Sequence, residues 1–223
     1  MSELPVLALI IWGTIVGLDL ASVLQGLLSR PLVAGGIAGW IIGDPVAGLT
    51  IGGTLELFAL DVLPVGSARY PDYGAATVAA VALGAWQAWP SALGPSVLLG
   101  LVLGQLGGWA IVAHRRVNAK ALASLAPRLD RGDPGVAARL HLLGLSSDLA
   151  RSATLAVLGL GAVGLLLRLP PVALATGHVL TLIVVAGGFV ALVGGALRRA
   201  GTARRMLWLA GGLGLGLLSL GLR

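Results

Sequence analysis

A break in the hydrophobic pattern constrains this chain more than any other feature. An apolar run over residues 31–42 ends at the corner Gly43-Asp44-Pro45, and a second apolar run covers residues 46–63. At about 1.5 Å per helical residue the first run reaches roughly 18 Å, too short for a hydrocarbon core about 30 Å thick. Interrupted backbone at membrane depth is tolerated only where protein or a wet cavity surrounds it. We therefore predict a re-entrant helical hairpin over residues 31–63.

The composition is that of an integral membrane protein. Of the 223 residues, 57% are hydrophobic and only 11% are charged, and the mean hydropathy is +0.97. Such values exclude a soluble enzyme domain. We predict one all-α membrane domain over residues 1–223, with about six transmembrane helices besides the hairpin. The predicted helices cover residues 5–28, 74–88, 96–113, 152–169, 172–197 and 206–222.

Basic residues are distributed unevenly along the chain. Before residue 114 there are only Arg30 and Arg69, whereas the other thirteen lie beyond it, mostly in residues 114–151 and 198–205. Lys and Arg are enriched in the cytoplasmic loops of membrane proteins. We therefore interpret residues 114–151 as a cytoplasmic loop and expect no nucleic-acid partner. The first apolar run is too long for a signal-peptide core, so we expect a retained helix.

Acidic residues concentrate where the chain is otherwise apolar. Five of the nine lie between Asp19 and Asp72, inside or beside the hydrophobic runs. Ionisable groups at membrane depth are costly and usually face the protein interior or a wet cavity, so they mark a ligand pathway. Broken hydrophobic segments are also where transporters place their binding sites. The two signals together predict a polar site beside the hairpin.

These residues also carry a family resemblance over residues 16–80. The sequence is similar to the N-terminal signature of the IIC component of mannose/fructose/sorbose phosphotransferase permeases. The matching residues are Gln25, Ser29-Arg30-Pro31-Leu32-Val33, Gly43-Asp44, Gly48, Gly52-Gly53-Thr54-Leu55-Glu56-Leu57, Pro64-Val65-Gly66 and Pro71-Asp72. Because several spacings agree together, the match is more specific than any single glycine motif.

The resemblance implies a subunit that moves a hexose-type sugar inward by alternating access in the bacterial cytoplasmic membrane. It implies a IID membrane partner, IIA and IIB phosphocarrier partners, contact with lipid, and a trimer of IIC–IID pairs. In that family the phosphate is carried by IIA and IIB, so we expect no catalytic residue, no phosphorylation site, no metal and no cofactor. The three histidines, His114, His141 and His178, are isolated in the sequence, which agrees with that expectation.

Carboxylates and amides suit a sugar, because they accept hydrogen bonds from its hydroxyls. Glu56 is the first candidate; the alternative is a structural partner for Arg30 or for a helix N-terminus. Asp72 is the second, with the alternative that it caps the helix predicted from residue 74. The remaining substrate-binding candidates are Asp19, Arg30, Thr54 and Gln25, the last with an interhelical hydrogen bond as its alternative. We interpret Asp44 as a turn residue and expect Asp61 to pair with Arg69 or Arg30.

Other functions stay open at this point. One is a sugar facilitator or regulatory membrane subunit that is not coupled to phosphotransfer. Another is a structural scaffold, for which Glu56 would affect stability alone. An intramembrane hydrolase would need a nucleophile and a base within hydrogen-bond reach, and Ser96 with His178 is the one plausible pair.

Overall fold

The computed structural model describes residues 3–23, 25–60, 62, 68–87, 92–168, 174–199, 207 and 211–212. Within these residues the chain forms seven α-helices and no strand, which confirms the all-α prediction. The helices are α1 (Glu3–Ala21), α2 (Pro31–Ile42), α3 (Pro45–Ala59), α4 (Tyr73–Trp86), α5 (Leu93–Leu129), α6 (Pro134–Leu166) and α7 (Leu174–Arg199). By length and composition, four described stretches can cross a membrane: Glu3–Ala21, Leu93–Leu129, Gly135–Leu166 and Gly177–Gly195.

The predicted break forms a helical hairpin, α2 and α3. Its corner uses local signals: Gly43 adopts a left-handed conformation with φ of 93°, and Asp44 caps α3 by accepting from the Ala47 amide at 2.9 Å. The helices have 12 and 15 residues, or roughly 18 and 22 Å, so neither alone crosses a bilayer. The re-entrant placement stays a prediction. The expected pairing of Asp61 lies outside the described residues.

Glycine allows the two arms of the hairpin to approach closely. A Cβ on Gly48 would lie 2.7 Å from the Gly39 Cα, and a Cβ on Gly52 would lie 2.5 Å from the Pro31 carbonyl oxygen. No side chain fits between backbones at these distances, which is how small residues bring membrane helices together. Prolines at the first turn of each helix fit because that position needs no donated hydrogen bond.

Residues 114–151, which we interpreted as a cytoplasmic loop, are helical apart from a short turn, and their cytoplasmic placement stays a prediction. Helix α5 continues to Leu129, and α6 begins at Pro134 after a short turn. Ala and Leu, which have high helix propensity, separate the charged side chains there. Hydropathy does not measure helix propensity, so it indicated only a polar segment. In the turn, Asp133 accepts from the Gly135 amide at 3.0 Å and pairs with Arg128 at 3.1 Å. The hydrogen bond from Arg128 lowers the pKa of Asp133.

Helix α4 lies at the centre of the fold. Every residue from Gly74 to Gly84 is buried, because α1, α2, α3, α5 and α6 all pack against it. An apolar helix without a polar face is expected in such a position. It corresponds to the helix predicted over residues 74–88. The helix predicted over residues 206–222 lies almost entirely outside the described residues.

Candidate functional site

A cavity of about 490 Å³ opens beside the hairpin, where α1 ends and α2 begins. Its walls are formed by three segments of the chain: the connection between α1 and α2, the end of α3, and the residues just before α4. Its lining residues are Leu20, Gly26, Leu27, Ser29, Arg30, Pro31, Ala59, Val62, Tyr70, Pro71, Tyr73 and Gly74. The volume is within the range of about 300–1,000 Å³ that small-molecule sites occupy.

Arg30 is the only one of the six sequence candidates that lines this cavity. Its guanidinium donates to Glu56 Oε1, and the Leu32 amide donates to Glu56 Oε2 at 3.2 Å. Both structural alternatives for Glu56 therefore hold, since it binds Arg30 and the first turn of α2. The Arg30 side chain is 36% exposed and the Glu56 side chain 14% exposed. The cation, rather than the carboxylate, reaches the cavity.

Asp19 shapes the wall of the cavity without lining it. Its buried carboxylate accepts from the Gly26 amide at 2.9 Å and from the Ser29 amide at 2.8 Å. Both donors belong to lining residues, so Asp19 fixes the connection between α1 and α2. The hydrogen bonds from these two amides compensate the Asp19 carboxylate for the water that it loses on burial.

Gln25 and Thr54 are not brought to the cavity. Gln25 has a φ of 47°, and its exposed side chain donates to the Ala21 carbonyl at 3.2 Å. The Thr54 hydroxyl donates to the Thr50 carbonyl within α3 at 2.8 Å. Each makes a local hydrogen bond of the kind that needs no ligand.

Asp72 caps α4, as its structural alternative predicted. Its carboxylate accepts from the Ala75 amide at 3.2 Å, and its own amide donates to the Gly104 carbonyl of α5 at 2.9 Å. Glycines on α5 permit this approach, because a Cβ on Gly108 would lie 2.5 Å from the Tyr70 carbonyl oxygen. Asp72 thereby holds the segment that carries Tyr70 and Tyr73 against α5.

The structure adds a charged group that the sequence analysis missed. Arg151 of α6 donates to Asp72 Oδ2 at 3.2 Å and to Asp148 Oδ1 at 2.7 Å. Both carboxylates are fully buried and the Arg151 side chain is 7% exposed. We call Asp72, Asp148 and Arg151 the buried charge cluster. The sequence signal for this cluster was the spacing of Asp148 and Arg151, which lie three residues apart just before an apolar run. We had assigned both residues to the basic loop.

The hydrolase alternative lacks its geometry. Ser96 is fully buried, and its hydroxyl has no hydrogen-bond partner within the described residues. His178 is exposed on α7. A nucleophile and its base need to lie within hydrogen-bond reach, and these two residues do not make that contact.

Comparisons with known proteins find relatives among the IIC components of phosphotransferase systems. Residues 4–214 match the family model described as the PTS system sorbose-specific IIC component. The PTS system sorbose-specific EIIC component of Lacticaseibacillus casei is 42% identical over 73 residues, 32% of this chain and 26% of that protein. The fructose permease IIC component of Bacillus subtilis is 46% identical over 79 residues, 35% of this chain and 29% of that protein. The PTS system mannose-specific EIIC component of Escherichia coli K12 is 27% identical over 75% of this chain and 62% of that protein.

Two solved structures share the fold. One, titled as the structure of a membrane protein, covers 100% of this chain and 92% of its own, with a TM-score of 0.73 at 23% identity. The other is the mannose transporter ManYZ in complex with microcin E492, with the same coverage, a TM-score of 0.54 and 21% identity. At these identities the likeness concerns the fold alone. With a family model matched over nearly its whole length, the chain belongs to the sorbose-specific IIC component family of the phosphotransferase system and is a multi-pass membrane protein.

Proposed function

We propose that this protein is the sugar-translocating membrane subunit of a mannose-family phosphotransferase system. The family to which the chain belongs supports this, as does the fold shared with a structure named as a mannose transporter. A hexose-type sugar would move inward by alternating access and be phosphorylated by a IIB subunit. A IID membrane subunit, a IIA phosphocarrier, a trimer of IIC–IID pairs and the bacterial cytoplasmic membrane belong to the same proposal.

The observation that carries the proposal is the cavity at the break between α1 and α2. Its polar lining residues are Arg30, Ser29 and two tyrosines, Tyr70 and Tyr73, and its other lining residues are apolar. A few convergent polar groups in an apolar cavity are typical of sites that orient a small ligand. A guanidinium carries five N–H donors and can bind Glu56 and a sugar hydroxyl together.

Under this proposal the sequence candidates have different roles. Arg30 contacts the sugar, and Glu56 both orients Arg30 and accepts a hydroxyl when their pair opens. Asp19 and Asp72 act on the sugar only through the backbone segments that they hold. A polar site rejects analogues that lack the paired hydroxyl, because its own groups are then left unsatisfied.

Binding to the purified protein in lipid nanodiscs tests the proposal. Mannose, fructose and sorbose are titrated against the unmodified protein, Arg30→Gln and Glu56→Gln. We expect Arg30→Gln to weaken binding of the preferred sugar by about ten-fold or more, the size of one charge-assisted hydrogen bond. Arg128→Gln is the matched control, because it removes a guanidinium paired to Asp133 in an exposed turn.

Two results would contradict the proposal. One is that none of the three sugars binds to the unmodified protein. The other is that Arg30→Gln binds sugar as tightly as Arg128→Gln does. Coupling to phosphorylation is tested separately, by sugar uptake into vesicles with and without the IIA and IIB proteins. Uptake that is indifferent to them would favour the facilitator.

A further inference from the structure

A second cavity, of about 410 Å³, lies between the end of α1, the second half of α5 and the first half of α6. Its polar lining is Ser22, His114, Arg115, Asn118 and His141, with Ile111 among its apolar residues. None of the described lining residues is acidic. None of its described lining residues lines the cavity proposed for the sugar.

Arg115 brings a positive charge to this cavity. Its described hydrogen bonds go to two neutral acceptors, the Ala68 carbonyl at 3.1 Å and the Tyr70 hydroxyl at 2.6 Å. Within the described residues no carboxylate pairs with it, unlike Arg30, Arg128 and Arg151. A planar fork of five donors on a cavity wall favours an anion with two or more acceptor oxygens.

The neighbouring groups suit a phosphate. Asn118 donates one amide hydrogen to His114 at 3.1 Å and carries a second one. His141 adds further imidazole nitrogens to the lining, whereas both nitrogens of His114 already face other partners, Nε2 toward Asn118 and Ser147 and Nδ1 toward Asp148. Asp148 is a buried carboxylate 3.9 Å from His114 Nδ1, and it already accepts from Ser22 and Arg151, which limits the negative charge that it presents to the cavity.

Arg115 also connects this cavity to the proposed sugar site. Tyr70 lines the sugar cavity, and the Arg115 guanidinium lies 4.9 Å from the centre of the Tyr70 ring while donating to its hydroxyl. The Arg115–Tyr70 contact therefore joins a lining residue of one cavity to a lining residue of the other.

We propose that the second cavity is a phosphate-ester site in which Arg115 binds the phosphate of a phosphorylated sugar. The choice of a sugar phosphate rests on the proposed function, whereas the affinity for a phosphate group rests on Arg115, Asn118 and His141. An anionic lipid headgroup presents the same phosphate oxygens, so the test separates the two sources.

The test titrates mannose 6-phosphate, inorganic phosphate and mannose against the full chain in nanodiscs of neutral phosphatidylcholine. Arg115→Gln is expected to weaken binding of mannose 6-phosphate and of inorganic phosphate by about ten-fold or more. Asn118→Ala, which leaves the Arg115–Tyr70 contact intact, is expected to weaken both by about three-fold or more. Arg116→Gln is the matched control, because Arg116 is exposed and does not line the cavity; it is expected to bind both ligands as the unmodified protein does.

The outcomes are distinguishable. Arg115-dependent binding of both phosphates together with binding of mannose supports the whole inference. Arg115-dependent binding of inorganic phosphate, when none of mannose, fructose and sorbose binds in the titration described above, supports the anion site and contradicts the proposed function. Phosphate binding that Arg115→Gln and Arg116→Gln weaken equally overturns the site. Binding of mannose 6-phosphate that is lost when phosphatidylglycerol replaces phosphatidylcholine assigns the cavity to a lipid headgroup and overturns the sugar phosphate.

Discussion

Removal of Arg151 is the most informative perturbation of this fold. Its guanidinium donates to Asp148 at 2.7 Å, to Asp72 at 3.2 Å and to the Gly17 carbonyl at 3.0 Å, so it joins α6 to α1 and to the start of α4. Both carboxylates are fully buried. Arg151→Met preserves most of the volume and leaves two buried negative charges without a cation.

The expected cost follows from that burial. Removing one partner of a buried ion pair costs about 3–5 kcal/mol, because an uncompensated charge remains in a medium of low dielectric constant. We expect Arg151→Met to lower the free energy of unfolding by that amount. Arg128→Met removes the exposed pair to Asp133, whose side chains are 58% and 38% exposed, and is expected to change the free energy of unfolding far less, because exposed ion pairs contribute little.

The assay is reversible unfolding in mixed micelles, followed by circular dichroism. A variant that combines Arg151→Met with Asp72→Asn and Asp148→Asn tests the cause, because it removes the charges and retains polar side chains at both positions. Recovery of more than half of the lost free energy is expected. The reasoning is refuted if Arg151→Met costs no more than Arg128→Met, or if the combined variant is less stable than Arg151→Met alone.

Three further predictions concern packing and the cavity wall. Gly48→Ala, whose Cβ would lie 2.7 Å from the Gly39 Cα, should lower the unfolding temperature, whereas Gly53→Ala, with its nearest atom at 3.7 Å, should leave it nearly unchanged. Ser96→Ala should raise the free energy of unfolding by about 1 kcal/mol, because it removes a buried hydroxyl that has no partner in the described part of the chain. Asp19→Ala should weaken sugar binding more than Asp19→Asn does in the nanodisc titration, because Asn keeps an oxygen acceptor for the two amides.

Local signals made the hairpin predictable. Gly43, Asp44 and Pro45 each act within a few residues: a left-handed glycine ends one helix, a capping carboxylate begins the next, and proline occupies its first position. The local sequence between α2 and α3 was therefore enough to predict the turn that joins them. The same local reasoning identified Asp72 as the cap of α4 among its alternatives.

The buried charge cluster could not be predicted in this way. Arg151 lies 79 residues from Asp72 in sequence, and their contact depends on the way α6 packs against α1 and α4. Hydropathy treated Arg151 as one more basic residue of a polar loop, because charge density was weighed without the helix propensity of the intervening Ala and Leu. The second cavity was missed for the same reason, since it lies between the second half of α5 and the first half of α6.

The acidic residues of the N-terminal region indicate the cavity because they bind backbone amides around it, and not, as the sequence suggested, because they line it. All four that the structure describes between residues 19 and 72 accept hydrogen bonds from backbone amides. Asp19 binds the Gly26 and Ser29 amides, Asp44 that of Ala47, Glu56 that of Leu32 and Asp72 that of Ala75. Helix starts and breaks leave such donors unpaired, and in an apolar surrounding each needs an acceptor from the protein. Carboxylates in apolar sequence therefore mark interrupted backbone, and in this fold interrupted backbone encloses the cavity. The acidic residues thus indicate where the cavity lies, although Arg30 is the only charged candidate that lines it.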